Sequence, residues 1–260
     1  MKPKKVNFSN QAGVTLEGIL ESPIDNTPIA YAIFAHCFTC TKSIKAANVI
    51  CRALATKEIA TLRFDFTGLG MSGGDFADST FSSDIQDIAS AAKFLEDEFT
   101  APQILVGHSL GGAAVLHAAG EIISIKAVAT IGSPYDPEHV THILNDHKDE
   151  ILLNGEAQVK LAGREFTIKK SFFEDLQNRQ PEKVIANLNK ALLVLHSPID
   201  QTVGIDNAAN IYTAAKHPKS FISLDNADHL LMKNEDSAYA ANIIATWAQR
   251  YVGLNEPSKS

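Results

Sequence analysis

Gln103-Ile104-Leu105-Val106-Gly107-His108-Ser109-Leu110-Gly111-Gly112 is the stretch that decides the fold. Its first four residues read as an apolar strand, and Leu110–Ala119 carries a helical pattern. Gly-x-Ser-x-Gly between a strand and a helix is a nucleophile elbow. Lifting a hydroxyl above the strand ends needs a turn so tight that Ser109 must sit in a strained backbone conformation. Side chains at 107 and 111 would collide with each other or with the helix. The Leu110 N–H, at a helix N-terminus, is free to donate to an oxyanion.

Working outward, short apolar runs alternate with longer helical patterns. Ala30–Ala35, Ile59–Phe64, Gln103–Val106, Lys126–Ile131, Ala191–Leu195 and Ser220–Leu224 read as strands, most of them apolar on both faces. Ile44–Thr56, Ser83–Phe99, Leu110–Ala119, Ile205–Ala215 and Glu235–Tyr251 read as helices, with Ser82 or Ser83 as an N-cap. Lys5–Phe8 and Thr15–Glu21 form an antiparallel hairpin on the sheet edge. The fold class is α/β, a mostly parallel sheet of about eight strands with helices on both faces. We expect a single domain, with its core at about 1–133 and 190–253 and a polar tail at 254–260. The segment at about 134–189 breaks the rhythm and reads as a lid insertion over the strand C-termini, with a small hairpin at Gln158–Ile168.

The chain of 260 residues carries a formal charge of −7, which argues against a sequence-independent binder of nucleic acid or anionic membranes. No apolar run approaches the roughly 18 residues that a membrane span needs. Cys37, Cys40 and Cys51 are an odd number crowded into the first fifth of the sequence, which is not a secreted disulfide framework. They read as structural thiols in a reducing compartment, and the expected location is the cytoplasm.

A serine nucleophile needs an oriented base, and an open α/β sheet builds its site beyond the strand C-termini. His229 follows the strand Ser220–Leu224 and precedes the last helix, so it is the expected base. His217 precedes that strand and belongs at the opposite edge. Asp200 follows Ala191–Leu195 and is the expected orienting carboxylate, which makes the chain order Ser109, Asp200, His229. His36-Cys37-Phe38-Thr39 follows Ala30–Ala35, where the second oxyanion donor belongs, and that donor is assigned to the Phe38 backbone N–H beside that of Leu110.

With these residues in hand, the chain from about Val14 to Tyr251 resembles an α/β-hydrolase of the serine esterase type. More narrowly, His36-Cys37-Phe38-Thr39-Cys40-Thr41-Lys42, Arg63-Phe64-Asp65-Phe66-Thr67-Gly68-Leu69-Gly70 and Leu161-Ala162-Gly163-Arg164-Glu165-Phe166 resemble the hydrolase half of bacterial proteins that fuse such a domain to an OsmC-like domain. The sequence departs from that pattern by stopping at Ser260, and it has Cys37 where many hydrolases have glycine. The resemblance implies a serine hydrolase, and a carboxylesterase in particular.

Other readings compete. Cys37-Phe38-Thr39-Cys40 is a Cys-x-x-Cys that suits a thiol redox protein, although a thioredoxin-like unit would leave the elbow, Asp200 and His229 unexplained. Gly68-Leu69-Gly70-Met71-Ser72-Gly73 matches the dinucleotide fingerprint but opens no helix, so it reads as a turn lining the site. His139, His142 and His147 spread around a helix, which disfavours a metal. A non-catalytic binding module on the same scaffold is a third class. The favoured expectation is acyl-enzyme hydrolysis of short-chain esters, with no cofactor and no metal. The partner is a small-molecule ester, with no nucleic acid and no membrane, and the oligomeric state is open. His36, His108, Phe172 and Phe173 are expected to contact substrate, the two phenylalanines walling off the acyl side.

Overall fold

The computed structural model describes residues 2–24, 26–161, 163–177 and 179–252. Along the chain run β1 (Lys2–Ser9), β2 (Thr15–Ser22), β3 (Ala30–Ala35), α1 (Lys45–Thr56), β4 (Ile59–Phe64), α2 (Phe81–Glu98), β5 (Ile104–His108), α3 (Leu110–Glu121) and β6 (Ala127–Ile131). A 3-10 segment (Pro137–His147) follows, with α4 (Lys148–Asn154), β7 (Glu156–Leu161), β8 (Arg164–Lys169), α5 (Lys170–Leu176) and α6 (Pro181–Ala186). Then come β9 (Ala191–His196), α7 (Asp206–Ala214), β10 (Lys219–Ser223) and α8 (Asn234–Gln249).

The eight-stranded sheet has the order β1-β2-β4-β3-β5-β6-β9-β10. β1 and β2 are antiparallel at one edge, and the six strands from β4 to β10 pair in parallel. Every residue of β4, β5, β6 and β9 is buried, because helices cover both faces and leave no side for polar alternation. Alternate residues feed two cores. Ile33, Leu62, Leu105 and Val128 pack with α2 and α3, while Phe34, Ile104, Val106 and Leu193 pack with α1 and α8.

Local chemistry moves several boundaries. α2 starts earlier than its apolar pattern, since Thr80 is its N-cap and Ser83 the reciprocal partner of a capping box: Ser83 N–H donates to Thr80 Oγ1 at 3.2 Å, and Thr80 N–H to Ser83 Oγ at 2.8 Å. The expected caps, Ser82 and Ser83, are thus inside the helix. β5 reaches His108, so the elbow begins within the strand. The inserted hairpin is longer than Gln158–Ile168 and pairs Glu156 with Lys169 through Leu161 with Arg164. His139 and His142 lie in a 3-10 segment, where residues three apart eclipse, and their rings sit 4.8 Å apart instead of spreading around an α-helix. The polar tail 254–260 lies outside the described residues.

The insertion joins the α2–α3 core. Val140, Leu144, Ile151, Val159, Ile168, Phe172, Phe173 and Leu176 are buried in the same cluster as Phe81, Ile88 and Val115.

Candidate active site

At the end of β5 the chain reverses through Ser109, whose φ of 55° and ψ of −127° place a non-glycine residue in a strained conformation. The Ser109 N–H donates to the Ile131 carbonyl at 2.9 Å, which ties the turn to β6. A Cβ on Gly107 would stand 2.3 Å from the Gly111 carbonyl oxygen, so the backbone of the helix start leaves no room for a side chain at 107. A Cβ on Gly111 would stand 2.3 Å from the His36 carbonyl oxygen and 2.6 Å from that of Ala35. The helix start is therefore pressed against the loop after β3, closer than any side chain allows.

Ser109, Asp200 and His229 come together from three βα loops. His229 Nδ1 donates to Asp200 Oδ2 at 2.7 Å, which leaves Nε2 to accept from the Ser109 hydroxyl at 3.0 Å. Asp200 Oδ1 accepts the N–H groups of Thr202 at 2.8 Å and Val203 at 2.9 Å. Burial on its own raises the Asp200 carboxyl. The His229 hydrogen bond, the Val203 and Thr202 N–H groups and the His229 charge outweigh it and hold the pKa below the usual carboxylate value.

The loop after β3 faces the elbow. Among the described residues, neither the Phe38 N–H nor the Leu110 N–H has a hydrogen-bond acceptor. Cys37 and Cys40 flank Phe38 and are joined in a disulfide, with their Cα atoms 5.3 Å apart. This corrects the expectation of free thiols there: the turn, closed by the Cys40 N–H on the Cys37 carbonyl at 3.0 Å, brings the pair within bonding range. Cys51 stays free and buried, with burial pushing its thiol up to about 12. Thr39 takes a left-handed φ of 58°. Below it, Asp65 accepts the Lys42 backbone N–H at 2.6 Å and pairs with the Lys42 ammonium, which also meets Glu17 at 3.0 Å. The Gly68–Gly73 turn packs under the loop through the Met71 N–H on Asp65 at 3.0 Å and does not line the Ser109 cavity, because Asp65 draws it beneath.

That cavity holds about 480 Å³. Its apolar walls include Ile44, Pro134, Val140, Ile143 and Leu230, and Arg164 stands at its edge.

Residues 32–242 match the model of the alpha/beta hydrolase family. The chain belongs to that family. The hydrolase is 46% identical to the esterase domain of a Rhodothermus marinus protein, with a TM-score of 0.79 and coverage of 96% of this chain and 99% of that one. It is 32% identical over 165 residues to the mouse palmitoyl-protein thioesterase ABHD10, mitochondrial, across 61% of this chain and 50% of the relative. The chain thus spans about half the length of that curated relative, and 28% of the human one. The solved mouse ABHD10 shares the fold at a TM-score of 0.75 and 21% identity, with 95% of this chain and 99% of that chain covered. Among the described residues, no helix of the hydrolase is long and apolar enough to cross a membrane.

None of the four residues expected to touch substrate lines the Ser109 cavity. Phe172 and Phe173 are 4% and 5% exposed and belong to the core, because α5 turns its apolar face inward; Phe172 stacks behind Phe38 with ring centroids 5.3 Å apart. Val140 and Ile143 of the 3-10 segment take the wall position instead. His36 and His108 are 1% and 0% exposed, and burial lowers the pKa of each to about 4. His36 Nδ1 donates to the Cys37 carbonyl at 2.9 Å, and His108 Nε2 to the His229 carbonyl at 2.7 Å, so both brace the hydrolase site from behind. Sequence reading missed Asp65, Lys42 and Arg164 as parts of the site. All three lay in the motif blocks quoted above, but the pairing of Asp65 with Lys42 across 23 residues has no periodic signature.

Proposed function

We propose that this chain is a carboxylic ester hydrolase working through a Ser109 acyl-enzyme. One observation carries the reading: Nε2 of His229 lies 3.0 Å from Ser109 Oγ, while its Nδ1 is held 2.7 Å from Asp200. His229 takes the Ser109 proton as Oγ attacks the carbonyl carbon, and the Phe38 and Leu110 N–H groups receive the oxyanion. Asp200 fixes the imidazole tautomer and steadies the imidazolium. His229 then protonates the leaving alcohol, and water, deprotonated by the same imidazole, releases the acid.

A cavity of about 480 Å³ with apolar walls suits a compact acyl group, which supports short-chain esters as substrates. A thioester substrate is the second reading, favoured by the sequence relation to a palmitoyl-protein thioesterase. We read the chain as a single domain acting on a small molecule. The Cys37–Cys40 bridge takes away the free-thiol argument for the cytoplasm, so the cytoplasmic reading rests on the low cysteine count alone. The His36–Lys42, Arg63–Gly70 and Leu161–Phe166 blocks support kinship with the hydrolase half of OsmC-fused proteins.

Ester and thioester panels of matched acyl length, run on wild type and Ser109→Ala, test this reading. The expected outcome is hydrolysis and fluorophosphonate labelling by wild type, both abolished in a folded Ser109→Ala. Substantial turnover retained by the variant would exclude the serine mechanism, and a kcat/KM favouring thioesters at every length would select the second reading.

A further inference from the structure

Arg164 opens β8 at the tip of the inserted hairpin and lines the cavity that holds Ser109 and His229. Among the described residues it is the sole Lys, Arg, Asp or Glu lining that cavity. Two contacts fix its guanidinium: one N–H donates to the carbonyl of the left-handed Thr39, and the plane lies 5.1 Å over the Phe166 ring. Arg63 and Arg179 each pair with an acid at 2.8 and 2.5 Å, whereas among the described residues Arg164 has no ion pair. A guanidinium presents five N–H donors in a rigid fork, so most of them remain for an external acceptor.

We propose that Arg164 forms an anion subsite that selects esters bearing a second, carboxylate group. This rests on the ester-hydrolase reading above and narrows its substrate class. Arg164 is exposed to solvent where it lines the cavity, and a cation held in place by Thr39 and Phe166 binds a planar carboxylate through two parallel charge-assisted hydrogen bonds. The described lining supplies a single Lys or Arg, which matches the one charge of a carboxylate. The charge stands beside the loop that carries Phe38, so a carboxylate seated on Arg164 and a carbonyl seated on the Phe38 N–H are contacts one substrate can make together.

Monoethyl succinate, glutarate and adipate, each paired with the uncharged ethyl alkanoate of equal chain length, test the subsite at a pH where the free carboxyl is ionised. The reading is the ratio of charged to uncharged kcat/KM within each protein, so that a general loss of activity cancels. The ratio is expected to fall roughly tenfold or more from wild type to Arg164→Gln, to fall further in Arg164→Glu, and to be partly kept in Arg164→Lys, which retains the charge without the fork. In wild type alone, raising the salt concentration is expected to lower turnover of the monoesters and leave that of the uncharged esters. A ratio equal in wild type and Arg164→Gln would overturn the proposal. So would salt-insensitive monoester turnover, which decides the matter even if the variants fail to fold. Uncharged ester hydrolysis that survives Ser109→Ala would mark failure of the underlying serine reading instead.

Discussion

His108 immediately precedes Ser109 in the chain, yet its work is done 121 residues away, where its ring N–H holds the His229 carbonyl. Ser109 was legible in the sequence because glycine spacing in a strand-turn-helix context has a direct steric cause. His229 and Asp200 were legible by position, each following a parallel strand. The bracing role of His108 was not, since one hydrogen bond to a distant carbonyl leaves no pattern. The disulfide was equally hidden, because residue counts cannot say which two of three cysteines meet. The buried histidines carry a pH consequence. An unfolded histidine protonates near about 6.5, whereas His36 and His108 resist protonation down to about 4. Between those values the unfolded chain binds more protons, so their contribution is fully present above about pH 6.5 and is lost as pH falls toward 4, on the order of 3 kcal/mol each. Asp200, held low, acts in the same direction at lower pH, while Asp84 and Asp87, raised chiefly by burial, act in the opposite one. The discriminating measurement is therefore a difference: denaturation midpoints of wild type and His108→Gln from pH 7.5 to 4.5. The wild type is expected to lose more stability over that range than the variant, and parallel losses would refute the assignment.

At the scale of elements, the strands buried on both faces were read to within two residues, because polar residues bound such a run. The edge strand β1, by contrast, begins three residues before the expected Lys5. Helix starts were read less well: side-chain caps such as Thr80 act outside the apolar pattern. The loop after β3 owes its shape to neither kind of element. Asp65, beyond the end of β4, binds both the backbone and the ammonium of Lys42, and Arg63 Nη1 donates to the Lys42 carbonyl at 3.0 Å. Removing one partner of a buried ion pair leaves an uncompensated charge. Asp65→Asn is expected to destabilise the protein by about 3 kcal/mol, Glu17 remaining to meet Lys42. It should also lower kcat more than it raises KM, because a displaced Phe38 N–H is lost chiefly to the oxyanion. Urea melts beside steady-state ester kinetics check both, and an unchanged kcat in a destabilised variant would detach the network from the oxyanion loop.

For the whole molecule, the parallel sheet and its two covering layers followed from the alternation of elements. The place of the insertion did not: its amphipathic pieces are short, and their apolar residues have no period that names a partner. Structure puts Phe172, Phe173 and Leu176 in one core with Phe81 and Val115. Swinging this segment aside would expose that core, at about 25 cal/mol for each Å² of apolar surface. On this packing we expect the segment to act as a fixed wall and not as the hinged lid its length suggested. Lipases with a hinged cover gain rate when substrate gathers into droplets, because the droplet surface stabilises the open form. A wall that already belongs to the core has no such second state to be drawn out. Velocity plotted against the concentration of a sparingly soluble ester should then follow one smooth saturation curve through the point at which micelles appear, with no upward break.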